Sequence, residues 1–237
     1  MKLKKILGIT GVAIASVALL AACSSKSPKE ASKSSGAKET INFATTGITA
    51  PFSYEENGEL TGYDVEVAKA VFKDSDKYEV KFQKTEWSSV FTGLDSAKYQ
   101  MAGNNISYSE ERAQKYLFSY PIGTTPAVLT VPKDSNIKKY DDIAGHSTQV
   151  VQGTTTATQL TEFNDKHSDK PVELNYTNEN IEQMLTNLNE GKYDFKIFEA
   201  QTVNAIIKNN KLSNLKTTEL KSDEQPYIYF LFADKIG

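Results

Sequence analysis

Gly103-Asn104-Asn105-Ile106-Ser107-Tyr108-Ser109-Glu110-Glu111-Arg112 places two amides, several hydroxyls and an arginine directly after a short apolar run. The run from Tyr99 to Gly103 predicts a strand, so the polar residues stand at its carboxyl end, at the mouth of a cleft. Arginine offers a planar donor fork that matches a carboxylate. The stretch therefore reads as a grip for the carboxylate of a small molecule. The competing reading is a polar loop followed by a helix whose arginine points into solvent.

Strand and helix patterns alternate on both sides of it. Upstream, Thr40 to Thr45 alternates as a strand, and Glu56-Asn57-Gly58 signals a turn. Val65, Ala68, Val71 and Phe72 fall at helical spacing, with Asp64 placed to cap that helix. Tyr78 to Phe82 is a second strand. Trp87, Val90, Phe91 and Leu94 form an i, i+3, i+4, i+7 stripe, so the plain reading of Trp87 is core. Downstream, Ser109 caps a short helix running to Lys115, and Ala127 to Pro132 is a strand.

From Asp141 the rhythm restarts. Thr148 to Val151 is a strand, and Gln152-Gly153-Thr154-Thr155-Thr156 is a polar turn before a helix with Ala157, Leu160 and Phe163 on one face. Val172 to Tyr176 is a strand. Ile181, Met184, Leu185 and Leu188 mark a helix stopped by Gly191. Phe195 to Phe198 is a strand, Val203, Ile206 and Ile207 mark a helix, and Tyr227 to Ala233 is a last strand. The alternation predicts an α/β fold with a mostly parallel sheet, whose ligands sit outside the carboxyl ends of the strands.

A short internal echo points to two similar lobes. Leu94-Asp95-Ser96-Ala97-Lys98-Tyr99-Gln100 matches Leu188-Asn189-Glu190-Gly191-Lys192-Tyr193-Asp194 in register. Continuing that register sets Asn105 opposite Glu199. If the lobes face each other, Arg112 meets an acid group and Glu199 an amine, the charge pattern of an amino acid. Closure of two lobes about a hinge is an established way to trap a ligand.

Composition narrows the alternatives. A chain of 237 residues can bury one large core or two modest ones. The formal charge of −3 gives no basic face, which argues against a nucleic-acid partner. His146 and His167 stand far apart in sequence without a cysteine nearby, so neither a metal nor a cofactor is expected. The single cysteine precludes an intramolecular disulfide. Gly153-Thr154-Thr155 lacks the Gly-Lys-Ser/Thr core of a phosphate loop.

The N-terminus carries a separate message. Lys2, Lys4 and Lys5 precede an apolar run from Ile6 to Ala22. The run is long enough for a retained membrane anchor, but the basic head and small-residue end favour an export signal. Leu20-Ala21-Ala22-Cys23 resembles the lipobox of bacterial lipoproteins. That resemblance implies a signal peptide over 1–22, cleavage before Cys23 and acylation of its thiol. Residues 24–38 hold no large apolar side chain and cannot bury enough surface to fold, so 23–39 is an acylated tether to the membrane.

Ala50-Pro51-Phe52-Ser53, Gly62-Tyr63-Asp64-Val65-Glu66-Val67-Ala68, Ser109-Glu110-Glu111-Arg112, Phe118-Ser119 and Gln152-Gly153-Thr154-Thr155 together resemble landmarks of the family 3 extracellular solute-binding proteins of amino-acid ABC importers. The resemblance runs from about Ile41 to the last residue. It implies a two-lobe periplasmic-binding-protein-like fold of type II, with two crossover strands joining the lobes and the ligand in the cleft. The expected division is lobe 1 over 40–124, lobe 2 over 125–221 and a return to lobe 1 over 222–237. Family members continue beyond this point with helices that complete lobe 1, so the resemblance implies a truncated chain with apolar surface uncovered.

The same resemblance implies roles. Arg112 binds the ligand α-carboxylate, helped by Thr154 and Thr155. Asn105 and Ser107 contact the α-amino or α-carboxylate group, Glu199 takes the α-amino group, and Trp87 covers the ligand side chain. Thr49 stands where many members have an aromatic ring. Thr46 replaces a common aspartate, which argues against a basic side chain. Asn104 and Asn105 replace smaller residues and suggest a polar ligand such as cystine or glutamine. The implied partners are a free amino acid, a permease and its ATPase, and the membrane through the lipid anchor. Two rivals stand beside this reading: a dehydratase-like enzyme of the same fold, disfavoured by the lack of a histidine or a Ser/His/Asp set at the cleft, and a surface amino-acid sensor or adhesin.

Overall fold

The structure is a computed structural model and describes residues 37–221 and 226–233. The expected signal peptide, Cys23, the expected tether as far as residue 36 and residues 234–237 lie outside the described residues. In chain order the elements begin with β1 (Glu39–Thr45), β2 (Ile48–Thr49), β3 (Ser53–Glu56), β4 (Glu59–Thr61), α1 (Tyr63–Phe72), β5 (Tyr78–Lys84) and α2 (Trp87–Asp95). They continue with β6 (Met101–Ser107), α3 (Glu110–Ala113), β7 (Tyr116–Phe118), β8 (Gly123–Thr124) and β9 (Ala127–Pro132). After a 3-10 turn at Tyr140–Ile143 come β10 (Ser147–Val150), α4 (Thr155–Lys166), β11 (Glu173–Tyr176) and α5 (Ile181–Asn189). The last are β12 (Lys196–Glu199), α6 (Ala200–Asn209), β13 (Leu215–Glu219) and β14 (Tyr227–Ala233).

Lobe 1 is built on one sheet in the order β5-β1-β6-β14-β7, with β8 also on β14. β5, β1 and β6 run parallel, whereas β14 is antiparallel to its neighbours. Side-chain alternation along each strand feeds two cores. Ile41, Phe43, Met101 and Phe230 pack with Ala68 of α1, while Ala44, Ala102, Ile106 and Leu231 pack with Val90 and Leu94 of α2. At Gly103 no side chain fits: a Cβ would lie 2.5 Å from Phe43 and 2.7 Å from Phe230.

Lobe 2 joins a parallel pair, β10-β11, to an antiparallel sheet, β12-β9-β13. The Thr148 hydroxyl donates to the Phe195 carbonyl at 2.6 Å and sets β10 beside β12. Leu129, Val131 and Ile197 pack on Leu160 and Phe163 of α4. Val128 faces the opposite way, onto Leu185, Leu188 and Val203 of α5 and α6.

The chain passes between lobes twice, and the two passages lie side by side. The Thr125 amide donates to the Pro226 carbonyl at 2.8 Å, and the Leu220 amide donates to the Ala127 carbonyl at 3.0 Å. This paired ribbon has the form of a hinge.

Several local expectations are corrected. Lobe 2 is mixed rather than mostly parallel, because β13 pairs antiparallel with β9 and carries no apolar alternation to announce it. The strand expected to end at Gly103 runs to Ser107, so the two asparagines lie within β6 and not in a loop after it. Asp64 does not cap α1: Gly62 holds the cap position, and the Asp64 side chain is buried elsewhere. Val71 is 61% exposed, although helical spacing placed it on the inner face.

Candidate functional site

Arg112 is the pivot. Ser109 caps α3 by accepting from the Arg112 amide, which fixes the arginine one turn after β6. The guanidinium packs 5.5 Å from the Trp87 ring and 5.3 Å from the Phe91 ring, which meet edge to face at 4.8 Å. Cations are attracted to such ring faces. Nη1 donates to the Ser107 carbonyl at 2.9 Å, and Nη2 donates to the Gly153 carbonyl at 3.0 Å. Arg112 is only 8% exposed. Burial pulls its pKa down to about 10, with Glu111 and Tyr116 opposing, so it stays charged at neutral pH.

Across the cleft, Gly153 has a φ of +77° and turns the chain into α4. The Thr154 hydroxyl accepts from the Ala157 amide and donates to the Val151 carbonyl at 2.8 Å. Thr155 is the first residue of the helix. A helix N-terminus with its amides free is suited to an anion.

The second polar centre lies between Asn105 and Glu199. Asn105 has a φ of 55°, in the left-handed region. Its side-chain amide faces the Glu199 carboxyl, and beyond that pairing neither amide atom nor Glu199 Oε2 has a hydrogen-bond partner although all are buried. Burial pushes the Glu199 carboxyl up to about 7, its own backbone N–H, Lys196 and Asn105 draw it down, and Asp64 raises it further. Lys196 is buried with Nζ donating to the Gln149 carbonyl at 2.7 Å, and burial lowers its pKa to about 8.

The structure thus gathers Arg112, Ser107, Trp87, Thr154 and Thr155 around one end, and Asn105 with Glu199 around the other. Asn104 is engaged within lobe 1. Its Oδ1 accepts from the Thr46 hydroxyl at 2.7 Å, the Thr45 hydroxyl at 3.1 Å and the Thr46 amide at 3.2 Å. Its Nδ2 donates to the Thr49 hydroxyl at 3.3 Å. Asn104 therefore orders Thr46 and Thr49. Trp87 Nε1 is buried without a partner near Gly153.

Four residues of this region escaped the sequence reading. Phe91 lies four positions after Trp87 on the same stripe, a spacing that does signal a shared face. Asp64 was visible only as a helix-start acid. Lys196 showed itself only as a cation inside an apolar strand. Thr202 has no sequence signal at all, yet its hydroxyl donates to the Ala50 carbonyl at 2.7 Å, joining α6 to lobe 1.

A separate cavity of about 300 Å³ shares no residue with this site; Val67, Phe72, Met101, Phe230 and Phe232 give it apolar walls. No group of three or more His, Cys, Asp or Glu side chains among the described residues is arranged to hold a metal. No helix among them is long and apolar enough to cross a membrane.

Residues 41–170 match the family model described as bacterial extracellular solute-binding proteins, family 3. The chain belongs to this family. A probable amino-acid-binding protein, YxeM of Bacillus subtilis, is 30% identical over 97% of this chain and 81% of its own length. The L-cystine-binding protein TcyA of the same organism is 28% identical over 94% of this chain and 84% of its own. A solved structure from work on glutathione import through GshT and the cystine ABC importer TcyBC of Streptococcus mutans is 58% identical, covers 84% of each chain and superposes with a TM-score of 0.82. The fold is the two-lobe type II binding-protein fold. The chain is accordingly the substrate-binding component of an amino-acid ABC importer, working on the extracytoplasmic side.

Proposed function

We propose that the ligand is glutathione or cystine, held by its zwitterionic head between the two lobes and delivered without chemical change to a permease and its ATPase. The observation that carries this reading is a set of buried polar atoms with no partner outside their own pair, the Asn105 amide and Oε2 of Glu199, with the Arg112 guanidinium at the other end. Buried polar groups are ordinarily paired, so these atoms are suited to pair with the polar head of a ligand.

In this reading Arg112 and the α4 N-terminus, with Thr154 and Thr155, take the α-carboxylate. Glu199 and Asn105 take the ammonium. Ser107 supplies its strand-end position, and Trp87 covers the side chain with Nε1 available as a donor. Asn104 and Thr49 line the lobe-1 wall. The relatives support a sulfur-containing extension: a cystine-binding protein matches 94% of this chain, and the structure from the glutathione work covers 84% of it. The cleft pairs a cation with a carboxylate, the pattern that matches the two ends of a zwitterion.

The export signal and lipobox support a lipid anchor at Cys23, with residues 23–39 as tether. Cys23→Ser would then move the protein from the membrane fraction to the medium. For the ligand, calorimetry with glutathione, cystine, glutamine and arginine tests the proposal. Saturable one-to-one binding of glutathione or cystine is expected; tighter binding of arginine or glutamine than of either would overturn it.

A further inference from the structure

We infer that Asp64 is a positioning residue for the cleft: its carboxylate holds the Asn105 backbone in the left-handed turn that presents the Asn105 side chain to Glu199. This rests on the proposal that Asn105 and Glu199 receive the ligand ammonium.

The argument begins with strand pairing. β14 pairs with β6 at Tyr229↔Ile106 and again at Leu231↔Ala102. Three residues of β6, Gly103, Asn104 and Asn105, therefore stand opposite the single residue Phe230. Such a bulge leaves ladder groups unpaired and re-aims a side chain. On the other edge, β1 meets β6 only at Phe43↔Met101 and Ala44↔Ala102. The Asn105 amide has no strand partner from either neighbour. Asp64 Oδ2 accepts it at 2.6 Å.

Asp64 reaches this point because α1 starts at Gly62 and packs on the sheet, which buries the carboxylate to 0% exposure. Its Oδ1 has no partner. A buried carboxylate with one hydrogen bond is expensive, and burial raises its pKa to about 7 with the Asn105 N–H drawing it down. The fold sustains that expense at the one place among the described residues where a non-glycine residue stands in the left-handed region inside a strand, next to the cleft. Asparagine tolerates that conformation better than most residues, but not without support. Glu199 feels both groups, since Asn105 lowers its proton affinity and Asp64 raises it.

The test is a double-mutant cycle with ligand affinity as readout, in folded protein of verified melting behaviour. Asp64→Ala is expected to weaken glutathione or cystine binding at least about tenfold in the chain carrying Asn105, and less than about twofold in an Asn105→Ala background. Asp64→Asn keeps an acceptor for the Asn105 amide and should restore affinity to within about threefold of the parent. Equal losses in both backgrounds, or no loss in the first, would overturn the inference. A purely structural Asp64 would lower the melting temperature and leave the affinity of the folded molecules unchanged. Amide hydrogen exchange at Asn105 in the ligand-free protein needs no knowledge of the ligand. It should be slow in the parent and in Asp64→Asn, and at least about tenfold faster in Asp64→Ala. Unchanged exchange overturns the inference. Failure of the parent to bind either compound, with exchange behaving as stated, removes the ligand assignment and leaves Asp64 in its place.

Discussion

Arg112 Nη2 donates to the Gly153 carbonyl at 3.0 Å, so the cation at one end of the cleft also ties lobe 1 to lobe 2. Its second bond, from Nη1 to the Ser107 carbonyl, keeps the fork aligned with β6. The group proposed to meet the ligand is thus also a direct link between the lobes. Arg112→Ala should abolish measurable binding, a loss of at least about a hundredfold, since each charge-assisted bond contributes roughly 1.5–3 kcal/mol. Arg112→Lys keeps the charge but cannot span two carbonyls and a carboxylate, and should bind at least about tenfold more weakly. Calorimetry showing parental affinity in either variant would remove Arg112 from the site.

A lighter tie between the lobes is the Thr202 hydroxyl on the Ala50 carbonyl, 2.7 Å apart and buried. Thr202→Val preserves shape and removes the donor. A bond of this kind contributes about 1 kcal/mol, so affinity should fall about fivefold. Small-angle scattering should show the ligand-free protein shifted toward a larger radius of gyration. An unchanged radius and affinity would mean that this bond does not favour closure.

Protonation should pull stability and affinity in opposite directions. The Asp64 and Glu199 carboxyls are both raised to about 7 by burial. A raised carboxyl contributes stability that is complete below its unfolded pKa, near 4, and is lost as pH rises through about 7. The ligand-free melting temperature should therefore rise as pH falls from 7 toward 5. Lys196, lowered to about 8, acts the other way and only above that value. Ammonium binding needs Glu199 ionised, so affinity should fall below pH 7, by up to about tenfold per unit. Glu199→Gln should weaken binding at pH 8 and flatten that dependence; a parental pH profile in this variant would refute the role given to Glu199.

Asn104→Ala should act on stability first. It removes the oxygen on which three donors converge; the Thr45 hydroxyl keeps Ser53 Oγ at 2.6 Å and the Thr46 hydroxyl keeps Thr49 Oγ1 at 3.2 Å, so the Thr46 amide is the donor left unpaired. The expected loss is about 1–3 kcal/mol, seen as a lower midpoint in chemical denaturation.

Gly103→Ala tests the packing beneath the bulge. Its Cβ would press on two rings that already meet edge to face at 5.3 Å. Overpacking of this kind costs about 1–3 kcal/mol, or roughly 2–12 °C in melting temperature for a domain of this size. A thermal melt equal to that of the parent would show that Phe43 and Phe230 can move apart.

The helices were legible because their apolar faces repeat: Trp87, Val90 and Leu94, and again Ile181, Met184, Leu185 and Leu188. The bulge was not, because Asn104 and Asn105 look like loop residues and their place inside β6 depends on Phe230 from the far end of the chain. β13 was missed because Lys216, Thr217 and Thr218 carry no strand pattern; their order comes from the β9 backbone beside them. Asp64 was misassigned as a cap because a carboxylate before a helix is locally favourable there, and only tertiary contact supplied the stronger partner.

Local chemistry along the chain therefore determined the α/β alternation, the lobe echo and the arginine at a strand's end, since each depends on neighbours within a few residues. Only the tertiary structure decided what those residues face. Arg112 on Gly153, Asp64 on Asn105 and Asn105 beside Glu199 are meetings between segments tens of residues apart. The first and third join the two lobes, which the paired crossing at Thr125 and Pro226 connects, and the second forms because α1 packs on the lobe 1 sheet; burial then leaves their polar atoms few partners but one another.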